Sequence, residues 1–238
     1  MSIARCVARV AAICALAGVV PAALWAQPDG VRDQPTGLIA RFLAPDGNPL
    51  VGYRALRRLT ASTRGGRMQA TMEAWTTLDP VHGFTFQITS EEGSAIIRRR
   101  VLQAALEAEQ RAIASADSAQ AALTAVNYEF LDMSATAIDL VKIGLRPRRK
   151  HVMLVDGAMF VEPQSADLVR IEGELSRRPS VWTRRVRVRR EYTRIDGVHV
   201  PIAMSSTADV IIVGASSFSM TYRYVQINGR PVGPQQFP

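Results

Sequence analysis

From Lys150 to Asn228 apolar residues recur at every second position, the period of a sheet with one buried face. The run divides into KHVMLVDGAMFVEP, ADLVRIEGEL, SVWTRRVRVRREYTRIDG, VHVPIAMSSTADVIIVG and ASSFSMTYRYVQIN. Asp156-Gly157 and Asp196-Gly197 predict two-residue turns, because such turns need positive φ and glycine supplies it at low cost. Val213-Gly214-Ala215 predicts a third joint. The buried phase reads Val198, Val200, Ile202, Met204, Ser206, Ala208, Val210 and Ile212 on one strand, then Phe218, Met220, Tyr222 and Tyr224 on the next.

The first half of the chain mixes periods. Leu50, Tyr53, Leu56 and Leu59 are three apart and predict a short amphipathic helix over 50–61. Residues 67–78 alternate, with Met68, Ala70, Met72, Ala74 and Thr76 on one face. After the turn signal Asp79-Pro80, Phe84, Phe86 and Ile88 continue in phase, so the two segments predict a hairpin opening the same sheet. Residues 94–114 predict a helix with Ser94 as N-cap. Its apolar face has one stripe of Ile97, Val101, Ala105, Ala108 and Ala112 beside a second of Leu102, Leu106 and Ile113. An alanine-rich piece over 117–126 predicts a second helix, and strands follow over 127–134 and 137–145. The expected fold is α+β and β-rich: a curved antiparallel sheet, a half-barrel, with helices covering the concave face.

The leader changes where this fold is expected to work. Arg5 and Arg9 precede the apolar run VAAICALAGVVPAALWA, which predicts a signal peptide over 1–26 cleaved near Ala26 and a periplasmic protein. The competing reading is an uncleaved anchor, for which the run is shorter than the ~20 residues a spanning helix needs. Both cysteines, Cys6 and Cys14, lie in the leader, so the exported chain has neither thiol nor disulfide. The leader holds two of the 29 basic residues and none of the 21 acidic ones, so the exported chain stays positive. Export argues against a nucleic-acid partner; the arginines read either as solvated strand faces or as attraction to anionic headgroups at a membrane surface.

Candidate chemistry is sparse. His82, His151 and His199 have no metal-ligand spacing, no metal or cofactor is expected, and no nucleophile elbow is present. Glu172 and Glu174 share a strand face about 6–7 Å apart, which suits ion pairs with the arginines of the next strand better than a glycosidase pair. On residues 182–192 the even face reads Trp182, Arg184, Val186, Val188, Arg190, Tyr192. Arg184 and Arg190 either stand at a cavity rim, meeting a headgroup, or snorkel from the sheet edge. Met72, Phe84, Phe86, Ile97, Val101, Ala105, Met204, Phe218, Met220 and Tyr222 face inward, as packed core or as the apolar lining of a ligand cavity.

Leu145-Arg146-Pro147-Arg148-Arg149, Val155-Asp156-Gly157-Ala158-Met159-Phe160-Val161, the run 167–173 and the ending from Tyr192 to Pro201 with two long strands resemble the periplasmic lipoprotein-carrier superfamily, the LolA/LolB-like half-barrels. The resemblance covers about 50–228 and rests on element order and turn positions. It implies a flexible lead-in over 27–49, one half-barrel domain over 50–230 and a tail over 231–238. It further implies a non-enzymatic carrier holding acyl chains of a lipid or lipidated protein, with a membrane-bound partner to deliver or receive it. The family's functional arginine near the early strands falls on Arg64 or Arg67, both in range. The alternative within this fold is a protein-binding envelope-stress sensor like the MucB/RseB group.

Overall fold

The computed structural model describes residues 37–115, 120–180, 183–211 and 214–233. The predicted leader and the lead-in up to residue 36 lie outside the described residues, as do 116–119 at the start of the predicted second helix. Among the described residues two helices, α1 (Gly37–Leu43) and α2, accompany eleven strands in a single sheet. α2 runs through Ala95–Ile97, a π-helical segment Arg98–Gln103, and Ala104–Ala114. The strands are β1 (Tyr53–Thr63), β2 (Met68–Asp79), β3 (Gly83–Gly93), β4 (Tyr128–Ala135), β5 (Val141–Pro147), β6 (Val155–Val161), β7 (Leu168–Leu175), β8 (Thr183–Ile195), β9 (Val198–Val210), β10 (Gly214–Ile227) and β11 (Arg230–Pro231).

Their spatial order is β3-β2-β1-β10-β9-β8-β7-β6-β5-β4, with β11 beside β10. β4 to β10 form one antiparallel meander, and β1 zips onto β10 along its length, from Tyr53 opposite Ile227 to Ser62 opposite Ser217. The first hairpins of the chain therefore complete the sheet begun by the last strand. The sheet is open and curved, an α+β half-barrel with both helices on its concave face. α2 covers β1 to β3; α1 lies over the opposite half, where Arg41 donates to the carbonyls of Pro163 (2.8 Å) and Gln164 (2.9 Å) and Phe42 meets Phe130 edge-on. No helix among the described residues is long and apolar enough to cross a membrane.

Three local expectations are corrected. Residues 53–63 are strand, not helix: Tyr53, Ala55, Arg57, Leu59 and Ala61 alternate inward. A charged residue in that inward series hid the period of two. Asp156-Gly157 lies inside β6 rather than at a turn. Gly157 faces Gly173 on β7, and a Cβ on it would sit 2.2 Å from the Glu172 carbonyl oxygen. Glycine is needed there for close approach of two backbones, not for positive φ. Of the described residues in the predicted second helix, 120–121 form a 3-10 turn and 122–126 are not helical. Asp196-Gly197 does form the expected tight turn, with φ of 49° and 80°. Ser94 stands at the N-cap of α2 but makes no side-chain capping bond.

Candidate binding site on the concave face

Three charged side chains are buried among the described residues: Arg57, Glu109 and Arg190. Each occupies an apolar phase of its own element. Arg57 falls in the inward series of β1, Glu109 between the two apolar stripes of α2, and Arg190 between Val188 and Tyr192 on the inward face of β8. A buried ion is costly unless paired, so the partners of these three decide what each half of the concave face can do.

Beneath α2, Arg57 and Glu109 pair with one another, and of the Arg57 nitrogens Nε alone has no hydrogen-bond partner. Arg57 Nη1 donates to Glu109 Oε2 (2.6 Å) and Nη2 to Oε1 (2.9 Å), a two-pronged pair with side chains 0% and 1% exposed. Nη2 also donates to the Tyr53 hydroxyl, and the guanidinium carbon lies 4.5 Å from the Tyr222 ring centre and 5.0 Å from that of Phe84. Burial opposes the charge on Arg57, but the carboxylate of Glu109 and the surrounding phenols outweigh it and hold the guanidinium more firmly protonated than usual. Burial pushes the Tyr53 and Tyr222 hydroxyls up, keeping both neutral.

The ten residues expected to line a cavity, Met72, Phe84, Phe86, Ile97, Val101, Ala105, Met204, Phe218, Met220 and Tyr222, all belong to or pack against the one hydrophobic core of the sheet. Nine are buried and Phe86 is half-buried. Met220 Sδ touches Arg57 at 3.7 Å, and the rings of Phe84 and Tyr222 flank the guanidinium, so three of the ten pack directly against the ion pair.

An open space lies under α1. A cavity of about 290 Å³ is bounded by Phe42 and the loop after α1, by Leu123, by Tyr128 of β4, by Leu168 and Ile171 of β7, by Arg190, Tyr192 and Arg194 of β8, and by His199 and Pro201 of β9. None of those ten residues borders it, whereas Arg190 does. Arg184, its expected companion, is exposed beside a register irregularity between Thr183 and Arg185 and does not border the cavity. Arg64 and Arg67 are exposed in the β1–β2 turn.

A second irregularity in the β8–β9 ladder shapes the cavity wall. Arg190 pairs Met204 and Glu191 pairs Ala203, but Tyr192 then pairs Pro201. The skipped residue changes the phase of β9, so His199 and Pro201, rather than Val198 and Val200, join Tyr192 at the cavity. Strict alternation in the sequence concealed His199 for this reason. Its ring stacks on Tyr192 at 5.3 Å, and Nε2 donates to the Leu168 carbonyl at 2.6 Å.

The electrostatics of the wall are lopsided. Its two carboxylates, Asp46 and Asp167, both face Arg194, at 3.5 Å and 2.5 Å. Hydrogen bonds from Arg194 hold the Asp167 carboxyl below the usual carboxylate range. Arg41 is spent on backbone carbonyls. Arg190, 4% exposed, interacts with the Tyr192 hydroxyl, but its Nε and Nη2 have no hydrogen-bond partner and no carboxylate pairs with it among the described residues. Burial pushes Tyr128 and Tyr192 up and His199 down, so the groups around Arg190 are neutral near pH 7. Each unfilled buried donor costs about 1–3 kcal/mol.

No protein-family model and no curated protein matches this chain. Among solved structures, a DUF1329 family protein from Desulfovibrio piger aligns over 79% of this chain and 90% of its own at 11% identity and a TM-score of 0.37. A LolA superfamily protein from Nitrosomonas europaea aligns over 77% and 88% at 10% identity and a TM-score of 0.36.

Proposed function

We propose that this protein is a periplasmic carrier that holds an acyl chain of a lipid or lipidated molecule on its concave face, without catalysing a reaction. The observation that carries the reading is the cavity of about 290 Å³ under α1, walled by Phe42, Leu123, Leu168 and Ile171 between two rings and a helix. A space of this kind takes an apolar guest with a few polar contacts to orient it. Burying ten methylenes contributes on the order of 8 kcal/mol before association costs, so no side-chain chemistry is required for useful affinity. The predicted leader and the sequence resemblance to lipoprotein carriers support the same compartment and cargo.

The test is extraction of the protein purified from its native envelope, followed by mass spectrometry of the extract. Acyl-chain species at near-stoichiometric yield are expected. Lipid-free protein that instead retains a polypeptide partner through purification overturns the carrier role in favour of a regulator of the same fold.

A further inference from the structure

We infer that the cavity takes a single-chain amphiphile carboxylate-first, its head forked onto Arg190 inside the molecule rather than held at the rim. The inference rests on the carrier reading and adds the class of ligand and its direction of entry. Nε and Nη2, the two unpartnered donors, lie along one edge of the guanidinium and are spaced for both oxygens of one carboxylate. The side chain is 4% exposed and borders the cavity, but Nε and Nη2 are themselves shut off from its surface, so an anion reaches them from within as the Arg190 side chain turns toward the space.

Nothing else in the wall answers that charge. Asp46 and Asp167 face Arg194, while Tyr128, Tyr192 and His199 are neutral neighbours. Three arginines against two aspartates leave the lining one positive charge in excess, and a monoanion completes it. A cavity of about 290 Å³ is at the small end of ligand sites, which favours one chain with a small head over a multiply acylated anchor.

The experiment is calorimetric titration of the purified protein with octanoate, octan-1-ol and acetate, for the wild type, R190M and R190K. Octanoate is expected to bind at least tenfold more tightly than octan-1-ol, and acetate not to saturate. R190M should bring octanoate to the level of octan-1-ol, leave octan-1-ol within twofold, and not lower the melting temperature of the free protein. R190K, which keeps the charge but loses the fork, should fall between.

Equal wild-type affinities for octanoate and octan-1-ol, or full octanoate affinity in either variant, overturn the buried head-group site and leave the carrier reading standing. Acetate binding as tightly as octanoate overturns the amphiphile in favour of a small-anion site. A folded wild type that binds neither eight-carbon ligand overturns the carrier reading itself, and this inference with it.

Discussion

Arg57 and Arg190 stand on the same concave face and are equally hidden from solvent, yet the structure treats them oppositely. Arg57 is clasped by a carboxylate from α2 and enclosed by three aromatic rings. Arg190 borders an open space with two donors unfilled. The difference lies in the covering helix. α2 brings Glu109 to the sheet; α1 has no acidic residue to offer, and the aspartates near it are turned to Arg194. One half of the half-barrel is therefore a packed core around an ion pair, and the other holds an open space beside an unpaired buried arginine.

That contrast predicts opposite outcomes for the same substitution. Arg57→Met should destabilise the fold by about 3–5 kcal/mol in chemical denaturation, because it strands the Glu109 carboxylate in the core. Adding Glu109→Leu should recover most of that loss, since an ion pair replaced by apolar residues of similar volume is often neutral. If Arg57→Met alone is harmless, α2 is not anchored by the pair. The smaller effect is Arg190→Met, neutral or stabilising by about 1–3 kcal/mol in the free protein, since it removes donors that nothing fills. A large loss of stability there would mean Arg190 is structural.

Overpacking separates the halves at a similar scale. Ala105→Trp, at a fully buried position under α2, should cost about 1–3 kcal/mol or more. Ala121→Trp, beside the cavity, should leave thermal stability nearly unchanged while abolishing lipid retention. Acidification gives a further distinction. Burial holds the His199 pKa below its ordinary value, so on acidification the unfolded chain takes up that proton first. Its contribution is full above about pH 6.5 and is lost as pH falls below that. The melting temperature should drop between pH 7.5 and 5.5, and His199→Gln should flatten that part of the profile. The smallest effect belongs to the partly exposed rim: Asp167→Asn should cost no more than about 1 kcal/mol, screened by salt.

Several of these features were legible along the chain. The alternation on β9 and β10, the Asp196-Gly197 turn and the apolar face of α2 each arise from local periods, and they led to a curved antiparallel sheet with helices inside. Even the buried charges leave a trace, since Arg57, Glu109 and Arg190 each interrupt an apolar series. At β1 that interruption was strong enough to disguise a strand as a helix. At α2, Glu109 lies midway between two stripes that were read separately.

What one position cannot report is its partner. Arg57 and Glu109 are 52 residues apart and meet only because β1, β2 and β3 pair in turn and α2 folds back over them. Arg190 has the same local signature and no mate, and nothing in its neighbours along β8 distinguishes the two cases. The phase change that brings His199 to the cavity depends on how β8 and β9 align across a skipped residue, and the Gly157–Gly173 approach on how β6 meets β7. Periodicity is a property of the nearest few residues, so it set the elements and their buried faces. Neutralisation and empty volume arise between elements distant in the chain, so the packed half and the open half were decided only when the sheet curved and the two helices took their places on it.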